Sequence, residues 1–228
     1  MATVAGLVPF TSIDFPGLLA AVVFFKGCPL RCPFCHNPEL QENDGHGEMT
    51  WADVLSFLNG RKGKLDGVVF SGGEPLMQPD IVDLAKQAKE LGFKVGIHTS
   101  GVYPDKLREI TPYIDWVGLD IKAPWNKYDV LSGRPNMADK VQESLKFLLD
   151  RGIAFETRTT CDPLHLTPSD ILSIAQDLRS LGVKTYALQK YRTFDTDKNP
   201  PGQSAINSFF APENLKPIQD LFPKLILR

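Results

Sequence analysis

The sequence predicts an α/β protein of one domain: an incomplete (β/α)6 barrel, TIM-like in plan but not closed. Three observations carry this. Short apolar, β-branched runs alternate six times with amphipathic helical stretches, a pattern that calls for a parallel sheet with right-handed crossovers. Eight such pairs would close a full barrel, so six leave it open. Polar, chemistry-bearing residues also recur just after the apolar runs, where the loops of such a barrel carry its sites. With 228 residues, no repeat of fixed period and no linker rich enough to divide it, 1–228 reads as one unit.

Taken in order, residues 3–18, with Pro9, Asp14, Pro16 and Gly17, read as a short strand and turn. The run 20–26 (Ala-Ala-Val-Val-Phe-Phe-Lys) is a buried strand that leads into a cysteine-rich loop. A polar stretch follows at 41–47 and reads as a mobile surface loop. Thr50 is placed to cap a helix with Asp53 three positions on, and Val54, Leu55 and Leu58 form its apolar face. Strands are expected at 67–70, 94–99, 116–120, 154–160 and 185–189. Helices are expected at 81–91, ending at Gly92, at 105–110, at 139–150, and from the Thr167 cap to Leu181. The stretch 191–208 reads as a long polar loop, 212–222 as a final helix and 224–227 as a last strand.

Composition removes several classes of function. Hydrophobic residues make up 43% of the chain and its net charge is −2. That is ordinary for a globular core and gives no electrostatic footprint for nucleic acid or an anionic membrane. No apolar run approaches the length of a membrane span. The first residues lack the basic and long apolar regions of a signal peptide. Three of the four cysteines crowd one loop, unlike a secreted disulfide framework, so a reducing, cytoplasmic setting is expected.

That loop, 27–37, spaces Cys28, Cys32 and Cys35 as Cys-x3-Cys-x2-Cys. Clustered thiolates are soft metal ligands. A structural zinc ion wants four protein ligands, whereas a cubane cluster has four irons to hold. Three cysteines leave one iron without a protein ligand, and that vacancy can bind a substrate. A Cys3His zinc site using His36 is disfavoured, because adjacent residues are hard to aim at one tetrahedral ion. Cys161 reads as a thiol packed in the core.

The other strand ends are as informative. Gly72-Gly73-Glu74-Pro75 follows the strand at 67–70, and its two glycines let a ligand approach the backbone. Asp120 and Lys122 share one side of their strand and point to the barrel mouth. Arg158, in a β-branched strand, needs a partner, and a bound carboxylate or ribose would serve. Gln189 can hydrogen-bond a nucleoside. Trp125, Tyr128 and Leu131 read either as a rim that receives a partner or as helix packing.

The cysteine loop is the spacing of the radical S-adenosylmethionine (SAM) enzymes, which this chain resembles. Asp14-Phe15-Pro16-Gly17, the cysteine loop, 71–75, 120–124, 156–160 and Leu188-Gln189 together resemble the activating proteins of anaerobic ribonucleoside-triphosphate reductase, within the glycyl-radical-enzyme activases. The resemblance covers residues 5–195. It implies that Cys28, Cys32 and Cys35 ligate a [4Fe-4S] cluster and that Phe34 lies along the adenine of SAM. Gly72, Gly73, Asp120, Lys122, Arg158 and Gln189 would hold SAM, with Glu74 supporting the turn or the ligand. The cluster would break the sulfonium bond to give a 5′-deoxyadenosyl radical, which takes hydrogen from a glycine of the partner. A flavodoxin or ferredoxin would be the electron donor.

One stretch departs from the pattern. Many relatives carry Asp-Thr-Asn-Gly where this chain has His98-Thr99-Ser100-Gly101, so a monovalent-cation site is not carried over. His98 is expected either to contact SAM or the incoming peptide, or to be a buried, hydrogen-bonded histidine. With one spare cysteine, auxiliary clusters are excluded. Two other readings stay open: a radical SAM enzyme acting on a small molecule, similar to 7-carboxy-7-deazaguanine synthase, and a non-enzymatic zinc-binding module.

Overall fold

A computed structural model describes residues 1–193 and 200–228. Among the described residues one sheet holds eight strands in chain order: β1 (Val4–Thr11), β2 (Ala20–Phe25), β3 (Gly67–Gly72), β4 (Lys94–Thr99), β5 (Trp116–Asp120), β6 (Phe155–Cys161), β7 (Tyr186–Lys190) and β8 (Ile226–Leu227). The six expected strands are β2 to β7, all parallel. β1 lies antiparallel to β2, and β8 adds two parallel residues beside β7. Among the described residues β1 and β8 do not pair with each other, so the barrel stays open along one side.

The helices are α1 (Trp51–Gly60), α2 (Ile81–Glu90), α3 (Pro104–Ile110), α4 (Tyr128–Ser132), α5 (Met137–Arg151), α6 (Pro168–Ser180), α7 (Gln203–Ser208) and α8 (Pro212–Leu221). Local chemistry starts two of them. The Thr50 hydroxyl accepts the Asp53 amide at 3.2 Å while the Asp53 carboxylate accepts the Thr50 amide at 2.8 Å. Thr167 and Asp170 repeat this box at the head of α6. Val54 and Leu58 are fully buried beneath α1. Each contributes about 1.5–3 kcal/mol relative to exposure. Among the described residues no helix is long and apolar enough to cross a membrane.

Differences from expectation have local causes. α5 begins at Met137 because the Asp129 carboxylate reaches over to accept the amides of Asn136, Met137 and Ala138, at 2.5, 2.8 and 3.1 Å. That cap comes from seven to nine residues upstream, so the local sequence carries no start signal. α4 was not anticipated, and it buries Tyr128 and Leu131, which makes them core residues and not a rim. α7 replaces part of the loop expected at 191–208; positions 194–199 of that stretch lie outside the described residues. The segment expected to be a mobile loop leads into Glu48 and Met49, which pair with Val4 on β1.

The sheet separates two apolar regions. Its outer face packs against the helices as the main core, with Val23, Phe25, Phe70, Ile97 and Leu119 among its buried members. Its inner face holds a smaller cluster of Phe15, Ala20, Val22, Val69 and Trp116. The Phe15 and Trp116 rings stack there with centroids 5.7 Å apart. Gly67 and Gly96 make room, since a Cβ at either would lie 3.2 Å from the Phe15 ring. The barrel floor is therefore stopped by aromatic packing, and polar side chains line the space above it.

Candidate active site

A cavity of about 520 Å³ opens at the C-terminal ends of the parallel strands. Cys28, Cys32, Phe34 and Cys35 line one side. Gly72, Gly73 and His98 come from β3 and β4, Asp120 and Lys122 from the end of β5, Arg158 from β6 and Gln189 from β7. Every sequence-predicted site residue except Glu74 is brought to this wall.

The cysteine loop is pinned by backbone bonds. Gly27 N donates to Leu40 O at 2.8 Å and Cys28 N to Gln41 O at 2.9 Å. The Arg31 guanidinium donates to the carbonyls of Cys28 and Leu30 at 2.7 and 2.9 Å. From outside, Ser132 O accepts Arg31 N at 2.8 Å, and Arg134 Nε donates to Pro29 O at 2.9 Å. All three thiols are free. Burial pushes the Cys28 thiol up to about 12 and raises Cys32 too, with the Lys122 ammonium opposing at both.

Among the described residues, no three His, Cys, Asp or Glu side chains converge on one ion. Three thiols spread round one cavity suit a cluster, in which each binds a different iron. The donor set, with a lysine ammonium in reach of it, fits a [4Fe-4S] group with one iron left open. Cys161 lies outside this wall, fully buried, and burial alone raises its thiol to about 12.

The glycine pair has a more immediate reason than the ligand access expected of it. Gly72 has φ +110°, and a Cβ there would lie 2.4 Å from the Phe25 amide nitrogen and carbonyl oxygen. A Cβ on Gly73 would lie 2.3 Å from Gly27 O. The end of β3 thus packs backbone to backbone against β2 and the cysteine loop, which only glycine permits. Gly73 N donates to Phe25 O and Glu74 N to Gly27 O, at 2.9 and 2.8 Å.

Glu74 supports the turn and does not face the cavity. It is fully buried and accepts from Leu76 N, Thr99 Oγ1, Ser100 N and Ser100 Oγ, at 3.1, 2.6, 2.8 and 2.5 Å. Burial raises its carboxyl, against the pull of those four bonds. Its effect is to tie the glycine turn to the end of β4.

The ion network adds to a second expectation. Arg158 has a partner within its own chain. Its Nε and Nη2 both reach Asp120 Oδ1, at 2.8 and 2.7 Å. The two residues are register neighbours on β5 and β6. The guanidinium lies across Gly118, where a Cβ would come within 2.8 Å of Cζ. Asp120 Oδ2 meets Lys122 Nζ at 3.4 Å. Burial opposes the Asp120 charge, yet Arg158 and Lys122 outweigh it and hold the carboxyl below its usual range. Burial likewise opposes the Lys122 charge, and Asp120 and Cys32 outweigh it, so the ammonium is held more firmly than usual.

His98 combines features of both roles expected of it. It lines the cavity, yet both ring nitrogens are engaged: Nε2 with Asp14 O at 3.0 Å and Nδ1 with Ser71 Oγ at 3.4 Å. A carbonyl only accepts, so Nε2 carries the proton and Nδ1 accepts from the serine. Burial, then the Arg158 charge, lower its pKa to about 3 and keep the ring neutral.

Sequence reasoning missed two pairs. Glu156 is buried and held by Arg228 through both guanidinium nitrogens, at 2.5 and 3.2 Å. Alternation along β6 puts Glu156 on the same face as Arg158, so this one was readable. Asp162 and His165, after β6, form another pair at 2.5 Å. Nothing in their spacing announced it.

Comparison with known proteins agrees with this geometry. Residues 22–178 match the family model described as the radical SAM superfamily. A pyruvate formate-lyase-activating enzyme of Clostridium pasteurianum is 43% identical over 194 residues, which is 82% of this chain and 80% of that protein. A Methanocaldococcus jannaschii protein named as a glycyl-radical enzyme activating enzyme is 31% identical over 201 residues, 85% of this chain and 82% of its own. Among solved structures, Streptococcus suis SuiB bound to S-adenosylmethionine superposes with a TM-score of 0.65 at 16% identity. The match takes in 88% of this chain, which spans about half, 47%, of SuiB, and is a likeness of fold.

Proposed function

The chain belongs to the radical SAM superfamily, whose members use a [4Fe-4S] cluster and SAM, and from that membership we propose that it installs a glycyl radical on a partner enzyme. The observation that carries this is the set of three free thiols facing Lys122, Asp120 and Arg158 across one cavity in an open barrel. When bound, the cluster supplies the electron that splits SAM into methionine and a 5′-deoxyadenosyl radical, which takes a hydrogen atom from a glycine Cα.

Cys28, Cys32 and Cys35 would hold three of the four irons. Lys122 would meet the SAM carboxylate, and the backbone at Gly72 and Gly73 its amino group. Arg158 and Asp120, fixed on one another, would position the ribose, with Gln189 at the adenosyl group and Phe34 along the base. His98, neutral and tied to Asp14 O, holds the 11–15 turn against β4 and adds no charge to the wall. The aromatic floor of Phe15 and Trp116 closes the lower end of the cavity, beneath a species that would react with water.

The partner we propose is an anaerobic ribonucleoside-triphosphate reductase, on the motif resemblance over residues 5–195, with a flavodoxin or ferredoxin as electron source. The 43%-identical relative's name favours a second partner, a pyruvate formate-lyase. The experiment is anaerobic incubation of the reconstituted protein with SAM, reductant and each candidate in turn, read by electron paramagnetic resonance. A glycyl doublet with one candidate identifies the partner. Cleavage of SAM with no doublet from either points to a small-molecule substrate. Zinc without sulfide in the purified protein overturns the enzyme reading.

A further inference from the structure

The outer half of the cysteine loop is held against α4 and the turn after it, a segment to which the reaction above gives no part. That segment bridges two walls of the cavity. At one end the Tyr128 hydroxyl, fully buried, donates to Asp120 O at 3.2 Å and accepts the Lys122 amide at 3.4 Å. At the other, Ser132 O accepts Arg31 N at 2.8 Å and Arg134 Nε donates to Pro29 O at 2.9 Å. Gly133 lets the turn lie this close. Its φ is +69°, and a Cβ there would stand 2.9 Å from Arg31 Cβ.

Two guanidiniums grip this stretch of the loop, and they differ in charge balance. Arg31 donates to Cys28 O and Leu30 O, and Glu42 meets its Nη2 at 2.6 Å. Arg134 is exposed and makes no ion pair among the described residues. The carboxylate nearest in sequence, Asp129, is engaged by the amides of Asn136, Met137 and Ala138. An unpaired positive charge therefore rests on the carbonyl next to Cys28, in the stretch between the first and second thiols.

We propose that Arg134 is a positioning residue for the cluster: it fixes the outer turn of the cysteine loop, and its unpaired charge makes the cluster easier to reduce. This rests on the reading of the three thiols as cluster ligands. Reduction adds one electron and no proton, so the site gains one negative charge. A cation beside the loop favours that form, and local net charge is one of the quantities that set a cluster's potential. Because Arg134 stands in solvent, salt weakens its influence.

The test is a potentiometric titration of the reconstituted protein, read by electron paramagnetic resonance, with no SAM and no turnover. At the midpoint potential of the natural protein, the ratio of reduced to oxidised cluster in Arg134→Met is expected to be lower by about three-fold. Arg134→Lys, which keeps the charge, should restore most of that difference. In about 1 M salt, where charges are screened beyond about 3 Å, natural protein and Arg134→Met should converge. Equal ratios at low salt overturn the role of Arg134, and so does a difference that Arg134→Lys fails to reduce or that salt leaves intact. Should Arg134→Met hold no cluster while Arg134→Lys does, iron and sulfide per chain make the same comparison and support the charge. Loss of cluster from both overturns it. Natural protein that takes up no iron and sulfide overturns the cluster reading itself, a result separate from all of these.

Discussion

Arg158 spans two strands to place Nε and Nη2 on a single oxygen of Asp120, at 2.8 and 2.7 Å. The pair is half of a two-tier arrangement inside the barrel. On β6, Glu156 and Arg158 are two residues apart on the inner face, and each is matched by an opposite charge: Arg158 by Asp120 on the adjacent β5, and Glu156 by Arg228, just past β8. Removing one member leaves its partner buried and alone, which costs more than the intact pair contributes.

For Asp120→Ala we therefore expect a loss of about 3 kcal/mol in unfolding free energy, with Arg158 stranded at 5% exposure. Urea titration of the cluster-free protein measures it. Arg158→Met, which removes the cation and keeps the volume, should cost less.

Gly118→Ala tests the same pair through shape. The new methyl would lie 2.8 Å from Arg158 Cζ and 2.9 Å from Trp116 Cη2. We expect about 1–3 kcal/mol of destabilisation, together with weaker SAM binding in equilibrium dialysis because the guanidinium is displaced.

The four cysteines should divide into two kinds. Alanine at Cys28, Cys32 or Cys35 should abolish stable incorporation of iron and sulfide on reconstitution. Cys161→Ala should leave iron and sulfide per chain unchanged. It should cost about 1 kcal/mol or somewhat more for the lost packing of a fully buried side chain.

His98 gives the protein an acid-sensitive contribution. Its folded pKa of about 3 lies below the ordinary 6.5, so between those values the unfolded chain binds more protons. The contribution is complete above 6.5 and is lost as pH falls towards 3, with a slope of at most about 1.4 kcal/mol per pH unit. His98→Gln should flatten stability against pH in that window relative to the natural protein. A difference confined to higher pH would contradict the neutral, Asp14-bound ring.

Arg228→Ala leaves Glu156 buried without its cation. We expect about 3 kcal/mol of destabilisation, and faster hydrogen exchange at the Lys190 amide, which now donates to Arg228 O at 2.7 Å. Glu156→Gln should be milder, because the amide still accepts from the guanidinium.

The strands and the mouth of the barrel were legible because their signals are local. Alternation puts Asp120 and Lys122 on one side of their strand, and the positions of Arg158 in its strand and Gln189 at a strand end mark them out. What was not legible depends on distant partners. Glu74 is an acid at the end of a glycine turn in either role, and only the position of Thr99 and Ser100 makes it a brace. The start of α5 is set by Asp129, seven residues before the first amide it caps. Arg158 was rightly seen to need a partner, but alternation along one strand cannot say that the adjacent strand supplies it. The need for Gly72 and Gly73 was visible, and its main cause, contact with Phe25 and Gly27, was not.

Phe15 on Trp116 makes the lumen a blind alley. Anything admitted at the top or through the gap between β1 and β8 has to go out the way it came. On the proposed function, spent methionine and deoxyadenosine would share their exit with the arriving chain, and the order in which guests withdraw would pace turnover.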